Sequence, residues 1–310
     1  MPKRQSKERT RARERIMETE ELTTKVNGIE LCYALNGPMD GDPLLLIMGL
    51  GAQLIGWPIE FVEHLASQGF RVIRFDNRDS GLSTKSVGDP PAAMDLLAKA
   101  LNGESIESPY SLSTMADDAV ALLNFLGYQS AHIVGASMGG MIAQTLAIDH
   151  PTCVLSLTSI CSTTGAPELF TPTEEALAAI VGDTPEGREE ILKANVIGSR
   201  SLAGPLWDEQ YATSQAEASH DRSFCPEGVG FQIAAIAMSG DRTSRLTELL
   251  LPVLIIHGAV DPLLPLHCGL ATAKAIPESE LVVYDDMGHD LPSIYWPEIA
   301  HKVRKLANHS

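Results

Sequence analysis

The sequence predicts an α/β fold: a mostly parallel, doubly wound sheet with an N-terminal antiparallel hairpin and an inserted helical cap. Three observations predict it. Short apolar runs alternate with helical patterns from Leu44 to Ile160, as in parallel strands joined by helical crossovers. Asn27-Gly28, between two alternating stretches, is the strongest short hairpin signal. The alternation stops over residues 164–245, where helix-like pieces occur without a convincing strand, and resumes at Val253. These boundaries divide the chain into a basic arm expected to be disordered (1–20), a core (21–163 and 246–310) and a cap or lid over the C-terminal edge of the strands (164–245).

Thr23–Val26 and Ile29–Leu35 form the hairpin, and Gly37–Pro43 is a turn. Leu44–Met48 is continuously apolar, as a strand buried on both faces requires. Ile59–Gln68 presents Phe61, Val62 and Leu65 on one helical face and stops at Gly69. Arg71–Phe75 is the next strand, so the short connections imply a right-handed crossover. Residues 85–110 read as loop, broken by Pro90, Pro91 and Pro109, with a short helix at Ala92–Leu101. Ser113–Leu126 is helical, capped by Ser113 or Ser111, and Ala131–Val134 is a strand. Met138–Asp149 is a helix ended by Pro151, followed by the strand Val154–Ile160. In the insert the helical pieces are Glu174–Val181, Arg188–Ile197 and Val229–Met238. Strands at Val253–Ile256 and Leu281–Tyr284 and helices at His267–Ile276 and Pro297–Leu306 complete the pattern.

Composition narrows the function. With 310 residues, 44% hydrophobic and 20% charged, the chain is globular rather than disordered, collagen-like or a small disulfide scaffold. No apolar stretch reaches the roughly 18 residues of a membrane span, because Gly49, Gly51 and Gln53 interrupt the longest one. Residues 1–16 carry seven basic and two acidic side chains, so the arm is +5 and the rest is −22 of a total of −17. An acidic body repels polyanions, so no nucleic acid partner is expected; neutral or cationic small molecules are favoured. The arm reads as a solvated tail without a secretory apolar region, and Met17 behind it is the expected natural start. Cys32, Cys153, Cys161, Cys225 and Cys268 are odd in number and lack metal-like pairs. They read as buried thiols of a cytoplasmic protein.

One cluster carries chemistry: Gly135-Ala136-Ser137-Met138-Gly139-Gly140, between a predicted strand and a predicted helix. A serine at so sharp a turn is strained and exposed, and the glycines relieve the crowding. A serine hydroxyl needs a base, itself oriented by an acid, and this architecture orders them Ser, then Asp or Glu, then His. Of nine histidines, His289 follows the last predicted strand. His257 reads as a buried structural residue, and His64, His132, His150 and His301 read as core or surface. His220 lies in the insert as a candidate substrate contact. Asp261 follows the strand Val253–Ile256, whereas Asp285, Asp286 and Asp290 read as a solvated acidic turn. After Val154–Ile160 the chain reads Cys161-Ser162-Thr163-Thr164, without a carboxylate. Two donors for a tetrahedral oxyanion are expected from the backbone N–H groups of Met138 and Leu50, the latter in the loop Met48-Gly49-Leu50-Gly51. Gly49, Trp57, Phe231 and Met238 are the candidate pocket contacts, and Asp76 with Arg78 reads as an ion pair within one loop.

These residues resemble the α/β-hydrolase superfamily over nearly the whole chain after residue 22, and within it the aclacinomycin methylesterase-like serine hydrolases. The matching segments are Met48-Gly49-Leu50, Gly56-Trp57-Pro58, Arg74 to Ser83, Gly135 to Gly139 and Met287-Gly288-His289. Met48 stands where a histidine is common in the superfamily, and the methylesterase group also has Met-Gly there. The resemblance implies the α/β-hydrolase fold and a serine esterase. Ser137 is then the nucleophile, His289 the base and Asp261 the acid, acting through an acyl-enzyme on a small-molecule ester, neutral or apolar. No cofactor or metal is expected, no membrane partner, and the chain is a monomer or homodimer. Two other readings stay open: carbon–carbon, lactone or perhydrolysis chemistry on the same triad, and a catalytically weak ligand-binding protein.

Overall fold

In the computed structural model, which describes residues 20–309 except Gly103 and Asp183, eight strands form one sheet. The first part of the chain runs β1 (Glu21–Val26), β2 (Ile29–Asn36), β3 (Asp42–Ile47), α1 (Ile59–Ser67), β4 (Phe70–Phe75), α2 (Ala93–Asn102), α3 (Leu112–Phe125), β5 (Ala131–Ala136), α4 (Met138–Asp149) and β6 (Val154–Ile160). The insert holds α5 (Glu174–Val181), α6 (Arg188–Leu202), α7 (Glu209–Arg222), α8 (Pro226–Ser239) and the short α9 (Thr243–Leu246). The chain returns to the sheet with β7 (Val253–Gly258), α10 (Leu266–Ala275), β8 (Glu280–Tyr284) and α11 (Trp296–Ala307). The strand order is β1-β2-β4-β3-β5-β6-β7-β8. β1 and β2 pair antiparallel through Val26↔Ile29, β2 pairs antiparallel with β4, and all later pairs are parallel.

The parallel strands are buried on both faces, which is why they read as continuous apolar runs. One face carries α1 and α11, where Phe61, Val62 and Leu65 meet the cluster of Ile299, Ala300 and Val303. The other carries α3 and α4, with Met115, Ala119, Ile142 and Leu146 in the larger apolar cluster. The arm before residue 20, expected to be disordered, lies outside the described residues. No helix among the described residues is long and apolar enough to cross a membrane.

The structure settles some expectations and corrects others. Ser111 caps α3: its hydroxyl accepts the Thr114 N–H, while the Ser113 hydroxyl bonds Asp149. The helix α7 was not legible because its buried face consists of Ser214, Ala216 and Ala218, too small and polar for an apolar stripe. The helix in the proline-broken stretch, α2, packs against α8 of the insert. Asp76 and Arg78 do not pair with each other. Arg78 reaches Asp118 with two 2.7 Å bonds and lies over the Tyr110 ring. Asp76 accepts the N–H groups of Leu54 and Leu82 and binds Arg222 at the end of α7 at 2.7 Å.

Arg222 is thus one link between insert and sheet. Its guanidinium also reaches Glu21 at 2.8 Å and Gln53 at 2.6 Å, and both it and Asp76 are buried. Removing one partner of a buried pair strands the other charge in a medium that cannot solvate it. Arg222→Ala is therefore expected to lower stability by about 3 kcal/mol. Thermal or urea unfolding measures it, and Asp76→Asn on that background is expected to recover part of the loss.

Candidate active site

β5 delivers Ser137 at the C-terminal edge of the sheet, with φ 55° and ψ −121°, a conformation that L-residues rarely adopt. The turn is held by the Ser137 N–H donating to Ile160 O (2.9 Å) and the Ser162 hydroxyl donating to Ser137 O (2.8 Å). It closes so tightly that a Cβ on Gly135 would overlap the Gly139 carbonyl, and one on Gly139 would overlap Ile47 O. Only glycine fits at these two positions.

His289 stands over this serine on the loop after β8. Its Nε2 accepts the Ser137 hydroxyl at 2.9 Å, and its Nδ1 donates to Asp261 Oδ2 at 2.8 Å. A carboxylate only accepts, so the Asp261 bond puts the ring proton on Nδ1 and leaves Nε2 free to take one. Asp261 is oriented by its own turn, the N–H groups of Leu263 and Leu264 each donating to Oδ1 at 2.9 Å. His257, buried as expected, donates to Leu264 O at 2.7 Å and steadies that turn.

Charge follows from this geometry. Burial alone lowers the His289 pKa, but the Asp261 charge and hydrogen bond, with the Asp290 charge, raise it above the ordinary imidazole value. Burial alone raises that of Asp261, but His289, the Leu264 N–H and His257 hold it below the ordinary carboxylate value. The pair is coupled in the sense that favours an ionised acid beside a proton-accepting ring.

The loop after β3 lies against the serine, since a Cβ on Gly49 would sit 3.6 Å from Ser137 Oγ. The Gly51 N–H is engaged at 2.7 Å by Gln232 of α8. The Leu50 and Met138 N–H groups have no partner among the described residues. Buried Gln232, which no sequence spacing singled out, also donates to Arg78 O and to the Ser80 hydroxyl, tying the loops after β3 and β4 to α8. Only an apolar-helix position carrying a glutamine marks it in the sequence.

The candidate pocket contacts fare unevenly. Phe231 is buried in the same apolar cluster as Met138, and its helix reaches the site through Val229, against which a Cβ on Gly51 would press. Met238 is exposed at the far end of α8. Trp57 is buried, stacked on Phe61 at 5.9 Å and packed in the apolar cluster beneath α1. His220 packs on Phe224 at 5.0 Å on α7. Among the described residues, Cys161, Asp261 and His289 have ligand atoms within 4.8 Å of one another, but the last two already engage each other.

Asp290 departs from the expected acidic turn. It was expected in a solvated turn, yet it is half-buried and accepts the N–H groups of Gly288 at 2.8 Å and Gly204 at 3.4 Å.

Comparison with known proteins places the chain among hydrolases. Residues 42–292 match the alpha/beta hydrolase fold family. The rhodomycin D methylesterase of Streptomyces peucetius is 30% identical over 281 residues, covering 83% of this chain and 88% of that protein. A 2-hydroxy-6-oxononadienedioate/2-hydroxy-6-oxononatrienedioate hydrolase of Paraburkholderia phymatum is 28% identical over 302 residues, covering 93% and 95%. In structure, a meta-cleavage product hydrolase of Pseudomonas fluorescens matches with a TM-score of 0.75 at 21% identity, covering 94% of this chain and 99% of that one.

Proposed function

Since the chain belongs to the alpha/beta hydrolase fold family, we propose that it is a serine hydrolase of carboxylic esters, and that residues 164–245 act as its cap. The observation that carries this reading is the line from Ser137 Oγ through His289 to Asp261, with bonds of 2.9 and 2.8 Å. The 30% identity to a methylesterase supports the ester as substrate class.

In this reading Ser137 Oγ attacks the ester carbonyl carbon while its proton passes to His289 Nε2. The carbonyl oxygen becomes an oxyanion between the free N–H groups of Met138 and Leu50, where fixed dipoles need no reorganisation. His289 returns the proton to the leaving alcohol, and the acyl group stays on Ser137. Water, deprotonated by His289, releases the acid. Asp261 keeps the ring in the right tautomer and stabilises it while charged. The acidic body and apolar residues near the site favour a neutral or apolar ester. A soluble, cytoplasmic setting agrees with the free cysteines, of which Cys32, Cys161 and Cys268 are buried.

A second reading, hydrolysis of a carbon–carbon bond on the same three side chains, is favoured by the 28% relative named for 2-hydroxy-6-oxo dienedioates. Assaying p-nitrophenyl esters from acetate to long acyl chains, methyl esters of bulky aromatics and a 2-hydroxy-6-oxo dienoate separates them. Turnover of esters with a preferred chain length is expected. Turnover of the dienoate alone moves the chemistry to carbon–carbon cleavage, and no turnover at all refutes both.

A further inference from the structure

We propose that Asp290 is a positioning residue, which staples the insert to the loop carrying His289 and so holds the ring over Ser137. The proposal rests on the reading of His289 as the base. Three contacts carry it. The His289 N–H donates to Leu202 O at 2.8 Å, at the end of α6. Asp290 Oδ1 accepts the N–H of Gly204, two residues further on, and also that of Gly288, immediately before the histidine. The two segments touch backbone to backbone: a Cβ on Gly204 would lie 2.5 Å from Asp286 O and 2.7 Å from Gly288 N. One carboxylate oxygen therefore serves both sides of a joint that has the catalytic histidine in its middle.

The joint joins parts of the chain far apart in sequence, Gly204 and Asp290 being 86 residues distant. A displacement of the α6 end moves Leu202 O and Gly204 N together, and both bonds then act on residues 288–290. Among the described residues His289 has two ring bonds besides, so its place over Ser137 depends on this backbone anchorage. The arrangement makes the insert part of the catalytic apparatus as well as a cover.

Asp290 also acts by charge. The groups facing the ring are Asp261 from the loop after β7, Cys161 at the end of β6, His257 on β7 and Asp290 itself. From the insert, Arg200 reaches Gly204 O at 3.2 Å. An anion at 290 favours the protonated ring, so removing it lowers the pH at which His289 loses its proton.

Two substitutions separate anchor from charge. Asp290→Ala loses both, and its kcat is expected to fall about tenfold with KM little changed, since ring misplacement acts on the transition state. Asp290→Asn keeps a side-chain oxygen for the two N–H groups, so it is expected to recover most of that kcat. Its acid limb in kcat/KM moves to lower pH, which a purely structural residue would not produce. Melting temperature checks the fold, and Asp290→Asn carries the test if Asp290→Ala does not fold. The His289 ring titration, followed by NMR and assigned by its loss in His289→Gln, reads the same shift without a substrate. A protein that hydrolyses no ester thus fails the functional reading while the ring titration still judges the charge that Asp290 places beside His289. Wild-type kcat in Asp290→Ala, or an unshifted His289 titration in Asp290→Asn, overturns the proposal.

Discussion

Ser137→Ala is expected to reduce kcat for any ester that the wild type hydrolyses by about 10⁴-fold or more, with folding intact. The hydroxyl is the atom that forms the acyl bond, and no other side chain touches His289 Nε2 among the described contacts. The remaining acceleration would come from the Met138 and Leu50 N–H groups and from binding. Alanine keeps the Cβ, so backbone crowding at φ 55° persists and the melting temperature changes little. Glycine is different. Holding an L-residue in that region costs about 1–3 kcal/mol, so Ser137→Gly is expected to be equally inactive but more stable than Ser137→Ala. Retained turnover in Ser137→Ala would remove the serine from the chemistry. Equal melting points for the two variants would show that the elbow stores no strain.

How much of this was legible follows from what each signal measures. Continuous apolar runs such as Leu44–Ile47 and Val253–Ile256 exist because both sheet faces are covered, so they announce parallel strands directly. Ser137, Asp261 and His289 could be read because each follows a strand, and strand ends of one sheet converge at one edge. Partners joined only by folding left no such trace. Arg222 lies 146 residues from Asp76, so a local spacing rule assigned the aspartate to Arg78. Asp290 was read as solvated because it stands with Asp285 and Asp286 in one acidic loop; the Gly204 contact is invisible in that neighbourhood. Gln232 and the face of α7 escaped for a related reason. At these places the insert meets the core through polar and small side chains, which carry no hydrophobic period.

Asp261→Asn is expected to reduce kcat by about 10³- to 10⁴-fold, and its pH dependence distinguishes this acid from the other carboxylates nearby. Asparagine is nearly isosteric, and its oxygen can still accept the Leu263 and Leu264 N–H groups, so the turn is expected to survive. What changes is the group facing Nδ1. An amide can donate to that nitrogen, which turns the ring to the tautomer with its proton on Nε2, unable to accept the Ser137 proton. Charge acts in the same direction. The Asp261 anion raises the His289 pKa against the burial that lowers it. Without it the ring loses its proton at lower pH, so the small remaining activity is expected to extend further into acid than that of the wild type. Asp290 cannot take over, because its carboxylate is engaged with Gly288 and Gly204 on the backbone side of the histidine. Cys161, close enough to Asp261 for mutual influence, is a neutral thiol pushed far up by burial and offers no replacement charge. An Asp261→Asn protein with wild-type kcat would make another carboxylate the partner of His289. A low kcat with an unmoved acid limb would leave Asp261 a role in shape alone.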